Sequence, residues 1–171
     1  HFFLPVVPRT RADWEATELP PFRAAIAAGR PMLLTAHVIH AALDPELPAT
    51  LSPRIVRGLL RQELGFGGVI ATDDMDMKAI ADHWPAGDAA VRAIAAGCDL
   101  VMSCQSLDSA RTARDALERA IETGRIAAAE PLARVARLKA LRPPPTPLDC
   151  PLPSAAHAAL VAEIEAGAAR A

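Results

Sequence analysis

Three short apolar runs, PMLLTAHV (31–38), GVIAT (68–72) and CDLVMSC (98–104), constrain the fold of this chain more than any other feature. Each is apolar throughout rather than alternately, the pattern of a strand buried on both faces, as in parallel sheets. The stretches between them read as helices. In 11–29, Leu19, Phe22 and Ile26 fall at three- and four-residue steps, and Gly29 is placed to end the helix. Ser52-Pro53 offers an N-cap and a first-turn proline for a helix over 53–64, with Ile55, Val56, Leu59 and Leu60 on one face. Helical sequence follows the acidic segment 73–77 as far as Gly97, and two further helices are expected over 107–123 and 126–141. Strand and helix in alternation predict an α/β fold of parallel β/α units. The proline-dense RPPPTPLDCPLP (142–153) reads as an extended linker, and 154–170 as an Ala-rich helix without assigned function. The chain therefore divides into 1–142 and 143–171.

Composition narrows the function. With 51% hydrophobic residues, 22% charged residues and a net charge of −2, the chain implies no basic surface, so nucleic acid and anionic membrane are poor partners. No apolar run approaches the roughly 20 residues of a membrane span. Cys98, Cys104 and Cys150 show neither metal-ligand pairing nor a disulfide framework. Cys98 and Cys104 lie in an apolar run and are expected as reduced, buried thiols, which points to the cytoplasm. A histidine, not a methionine, at position 1 suggests a missing N-terminal portion.

In parallel β/α folds, functional groups collect at the C-terminal ends of the strands. Three loops qualify: the one with His37 and His40, the one spanning Thr72-Asp73-Asp74-Met75-Asp76-Met77, and Ser103-Cys104-Gln105-Ser106. The second is the strongest, because three carboxylates directly after a buried strand are costly unless something uses or neutralises them. Capping of the following helix and support of its dipole is one reading; a catalytic carboxylate is the other. The Gly-interrupted spacing of a calcium loop is absent, and no metal is expected. His37, at the end of a buried strand, belongs to a class that is more often hydrogen-bonded and structural than catalytic. Aromatic residues make up only 4% and there is no tyrosine, so stacking platforms for a sugar are few.

The run LLRQELGFGGVIATDDMDM (59–77) resembles the active-site signature of glycoside hydrolase family 3. TAHVIHAALDPELPATLSP (35–53), AAGCDLVMSC (95–104) and the closing GRI…RVARLK pattern (124–139) resemble its bacterial β-N-acetylhexosaminidase branch, the NagZ type. HFFLPVV resembles the end of the family's flexible loop, Asp-Ser-His-x-x-Leu-Pro. The resemblance implies the C-terminal portion of a (β/α)8 TIM-type barrel, with three parallel β/α units plus C-terminal helices and the N-terminal half of the barrel missing. It implies retaining hydrolysis with Asp73 as nucleophile and His1 as acid/base, and places His37 and Met77 at the sugar pocket. The implied substrate is a GlcNAc-containing muropeptide or chitooligosaccharide, in cytoplasmic peptidoglycan recycling, with no cofactor.

Departures from the family pattern are specific. Ala71 stands where a larger aliphatic residue is usual, and Asp76 where serine is commoner. The family's Lys-His pair, the aspartate that orients the acid/base histidine and a substrate-recognising arginine all precede residue 1. An inactive truncated fragment, or a related β-glucosidase or phosphorylase, is the alternative.

Overall fold

The computed structural model of the chain describes residues 3–143 and 154–168. His1, and most of the proline-dense segment (144–153), lie outside the described residues. The chain divides into two compact units, His1–Leu141 and Arg142–Ala171.

The first unit is organised around a parallel sheet of three strands, β2 (Met32–Leu34), β4 (Val69–Asp74) and β5 (Leu100–Met102), with β4 in the middle. Register pairs Met32 with Val69 and Leu34 with Ala71 on one side, and Ala71 with Leu100 on the other. Val69, Ile70, Ala71 and Thr72 are buried, as the uninterrupted apolar pattern predicts. β2 and β5 each have one partner strand among the described residues, and Leu34 of β2 is 52% exposed.

Helices cover this sheet. α1 (Arg11–Asp13) continues through a π-helical stretch, Trp14–Glu18, into α2 (Leu19–Ala27). A second π-helix, Arg54–Glu63, joins β2 to β4. After β4 come α3 (Lys78–Ala81) and α4 (Ala86–Ala96), and after β5 come α5 (Leu107–Glu122) and α6 (Ala129–Ala140). The core joins Leu51, Val56 and Phe66 to Ile70, Met75 and Ile80, closed over by Ala89, Ala93 and Ala96 of α4. Alanines let α4 lie close to its neighbours. Gly97 ends α4 at φ 118°, in the left-handed region, where glycine carries no Cβ penalty. At Gly68 a Cβ would fall 2.5 Å from the Pro31 carbonyl oxygen and from Cζ of Phe66, so only glycine lets β4 begin beside β2.

Several elements differ from the sequence expectation. The run 31–38 is a strand only over β2, while β3 (Ile39–His40) pairs in parallel with β1 (Val6–Val7), a pairing local sequence does not announce. The helix expected up to Gly97 is interrupted between α3 and α4, because Pro85 disfavours helical geometry at the residue before it and has no N–H to donate. The helix expected from 126 begins at Ala129. Cys98 is buried, but Cys104 is exposed: β5 stops at Met102, leaving Cys104 in the following loop.

At the start of β5 an ion-pair cluster ties three parts of the chain together. The Asp99 side chain is completely buried. Its Oδ2 accepts from Arg61 and from the Ile70 N–H (2.8 Å), and its Oδ1 accepts from Arg134 of α6 (3.1 Å). Arg61 also donates to the carbonyls of Phe66 and Gly68 (2.9 and 2.5 Å). In the second unit, α7 (Ala155–Ala168) is a single helix in which the Ser154 hydroxyl accepts from the His157 N–H (3.2 Å).

Candidate active site

The acidic loop begins inside β4 itself. Between Ala71 and Asp74, β4 advances three residues while β5 advances two, from Leu100 to Met102. An extra residue of this kind breaks the ladder and re-aims a side chain, as bulges beside active sites do. The Thr72 hydroxyl takes the place of a ladder carbonyl, accepting the Met102 N–H at 2.9 Å. Asp73 therefore sits at an irregularity at the C-terminal mouth of the central strand.

The three carboxylates then separate by what they touch. Asp74 Oδ1 accepts from the N–H groups of Asp76 (3.1 Å) and Cys104 (2.9 Å), and its Oδ2 from the Gln105 side-chain amide (3.0 Å). Asp76 Oδ2 accepts from the Ser103 hydroxyl (2.8 Å) and the N–H groups of Gln105 (3.0 Å) and Ser106 (3.2 Å). Partial burial works against ionisation of both, but these donors outweigh it and hold both carboxyls below the ordinary aspartate value. Their charges strap the β5–α5 loop to the β4 end. Asp73 is different: among the described residues its single hydrogen bond is one from the adjacent Asp74 N–H to Oδ1 (2.8 Å), which leaves Oδ2 without a partner.

Beneath this loop lies a chain of buried polar side chains. The hydroxyls of Thr35 and Thr50 are 2.9 Å apart, Thr50 lies 2.9 Å from His37 Nδ1, and His37 Nε2 lies 2.9 Å from the Asp74 carbonyl oxygen. A carbonyl only accepts, so Nε2 carries the proton, and Nδ1 accepts from Thr50, which in turn accepts from Thr35. Burial lowers the His37 pKa despite the Asp74 carbonyl and the charges of Asp73 and Asp74, so the neutral ring is favoured. His37 is 3% exposed and both of its nitrogens are engaged within the protein. The Met77 N–H donates to the same Asp74 carbonyl (3.1 Å), and the partly exposed Met77 opens α3.

The structure thus brings Asp73, His37 and Met77 to one strand end, while His1 lies outside the described residues. Thr50 and Gln105 complete the local network. Thr50 is a lone polar residue in the apolar LPATL, and that embedding was its only sequence signal. Gln105 belongs to a loop the topology already marked. Among the described residues no group of three His, Cys, Asp or Glu side chains is arranged to hold a metal ion.

The model of the glycosyl hydrolase family 3 N-terminal domain matches residues 1–141. The chain is 43% identical over 104 residues to a beta-hexosaminidase of Alkalilimnicola ehrlichii, covering 61% of this chain and 30% of that protein. It is 37% identical over 121 residues to a beta-hexosaminidase of Nitrosomonas eutropha, covering 69% and 34%. Among solved structures, a glycoside hydrolase family 3 beta-N-acetylglucosaminidase from Paenibacillus sp. str. FPU-7 superposes with TM-score 0.80 at 39% identity, over 96% of this chain and 33% of that one. The chain spans about a third of the length of these relatives, and its parallel β/α units correspond to part of their barrel domain. A carboxylate held by one hydrogen bond among the described residues, at the mouth of a buried parallel strand, is thus joined by sequence and structure likeness over nearly all of the first unit, and the chain belongs to glycosyl hydrolase family 3.

Proposed function

We propose that this chain carries the nucleophile-bearing part of a retaining β-N-acetylglucosaminidase, with Asp73 as nucleophile. The observation that supports it is the division of labour among three carboxylates: Asp74 and Asp76 are consumed by the loop after β5, whereas among the described residues Asp73 keeps an oxygen free at the strand mouth. In the first step that oxygen attacks the anomeric carbon, the glycosidic C–O bond breaks, and the leaving oxygen takes a proton from the acid/base group. In the second, water delivers its oxygen to the anomeric carbon, its proton returns to the acid/base group, and the Asp73 ester opens. His1, by its resemblance to the family loop, is the proposed acid/base. An imidazole changes charge near neutral pH and can serve both steps.

The substrate proposed is a β-linked GlcNAc glycan, either a muropeptide of cytoplasmic peptidoglycan recycling or a chitooligosaccharide. Likeness to proteins named beta-hexosaminidase supports the GlcNAc part of that reading. The remaining β/α units of the barrel are the proposed partner of this unit, and the isolated 171-residue chain is expected to turn over little or no 4-nitrophenyl N-acetyl-β-glucosaminide. In a protein that includes those units, a fluorosugar trap should leave its covalent adduct on Asp73. Asp73→Ala should lower turnover on the order of 10⁴-fold or more, and Asp74→Ala by less. An adduct on another side chain, or undiminished turnover in Asp73→Ala, refutes the assignment.

A further inference from the structure

At the opposite end of the strands from Asp73, a solvent-open cavity of about 640 Å³ is bordered by the π-helix Arg54–Glu63, the end of α4, and the segment leading into α6. All of its walls belong to the first unit, and Cys98 and Asp99, which lead into β5, form part of its floor. Its charged lining is Arg57, Arg61, Arg125 and Arg134 against Asp99 and Glu130, an excess of positive charge in a chain whose net charge is −2.

The four guanidiniums are not equivalent. Both terminal nitrogens of Arg61 are engaged, by Asp99 and by the carbonyls of Phe66, Gly68 and Gly97. Arg134 is held between Asp99 and Glu130. Among the described residues the Arg57 side chain makes one hydrogen bond, to the Ala95 carbonyl (2.7 Å). Arg125 makes none among the described residues, only a long ion pair to Asp88 at 3.6 Å. Asp99 is already neutralised by the first pair, so Arg57, and Arg125 beyond its long contact with Asp88, keep N–H groups for a space of small-ligand size.

We propose that this cavity is a second binding site, distinct from the Asp73 site, for a small molecule bearing a multiply charged oxyanion, with Arg57 and Arg125 as its recognising groups. A guanidinium fork fits phosphate or carboxylate oxygens in two-point fashion, so a ligand with several charged oxygens can engage Arg57 and Arg125 at separate points, and an uncharged sugar would gain little from them. The surplus positive field also makes the binding sensitive to salt.

The test is calorimetric titration of the full chain at low ionic strength with pyrophosphate, citrate and, as a neutral control, N-acetylglucosamine. Saturable binding of an anion and none of the neutral sugar is expected, weakened at least fivefold between 20 and 200 mM KCl on grounds of screening. A preference for pyrophosphate assigns a phosphate ligand, and a preference for citrate a polycarboxylate. Arg57→Gln and Arg125→Gln should each weaken the anion at least fivefold, with unchanged circular dichroism because both side chains are exposed. No saturable binding of either anion, or binding that survives both substitutions undiminished, overturns the proposal.

Discussion

The His37 imidazole and the Asp74 backbone carbonyl, 37 residues apart in sequence, meet at 2.9 Å beneath the acidic loop. This bond joins the segment after β2 to the end of β4, one peptide beyond Asp73. It fixes the His37 tautomer, and through Thr50 and Thr35 it is supported from below by two further buried hydroxyls. The positions of Asp73 and of the strand end are therefore coupled to side chains that never reach the mouth.

Thr50→Val keeps the shape and removes the hydroxyl, leaving His37 Nδ1 and Thr35 without their shared partner. An unsatisfied buried polar group costs about 1–3 kcal/mol. Thr50→Val should lose that much stability in a urea titration of the chain, and Thr50→Ser should recover most of it. Equal midpoints for the parent and Thr50→Val would show that the relay contributes nothing.

The buried Asp99 makes a second site of high sensitivity. Arg61 has a side chain only 12% exposed and contributes donors to one carboxylate and three carbonyls. Breaking one partner from a buried ion pair costs roughly 3–5 kcal/mol, and Arg61→Met is expected in that range. Arg134→Met should cost less, because Asp99 keeps Arg61 and the Ile70 N–H. The comparison is read from urea midpoints, and an Arg134→Met variant less stable than Arg61→Met contradicts it.

Stability should decline with acid in two stages. Burial lowers the pKa of His37 and of His40 below the ordinary value of 6.5, so the unfolded chain takes up protons there before the folded chain does. Their contribution is present above about pH 6.5 and is lost as pH falls through the lower folded values. Asp44, Asp74 and Asp76 are held below the ordinary 3.8, against burial, by hydrogen bonds such as Ser52 to Asp44 and Gln105 to Asp74. Their contribution is present above pH 3.8 and disappears as pH falls further. Urea midpoints at pH 7.5, 6, 5, 4 and 3 trace both stages; a flat profile from 7.5 to 5 argues against the histidine stage.

The cysteines should separate by reactivity. Burial, with the Asp99 charge beside it, pushes the Cys98 thiol up to about 12, so it stays protonated and inaccessible. Cys104 is exposed, though its pKa is also raised, by desolvation and by Asp74 and Asp76. Iodoacetamide labelling mapped by mass spectrometry should mark Cys104 in the folded chain, faster at pH 9 than at pH 7, and Cys98 only after unfolding. Early labelling of Cys98 would contradict its place in the core.

Much of this fold was legible because its strongest determinants are local. An uninterrupted apolar run marks a doubly covered strand, Ser52-Pro53 marks a helix start, and Gly97 marks a helix end. Ser52 does cap its helix, accepting the Ile55 N–H at 3.2 Å, while its own hydroxyl donates to Asp44 (2.6 Å). The acidic loop was legible for the same reason, since three aspartates after a buried strand conflict with burial unless something employs them. What could not be read was set by distant partners. Nothing near Arg61 or Arg134 announces Asp99, nothing near Val6 announces Ile39, and the bulge that singles out Asp73 exists only once β5 lies alongside β4. Cys104 lies outside the core because β5 stops at Met102, and an apolar run does not reveal where its strand stops.

The outer flanks of β2 and β5 carry one further consequence. Each presents backbone N–H and C=O groups with no strand beyond them among the described residues, and Leu34 lies open beside one. A flank of that kind is a template for any extended peptide, including another copy of itself. The state of association of the purified chain should therefore depend on its concentration: sedimentation at rising loading would register growing species, and a peptide that completes the ladder would return it to a single slow boundary.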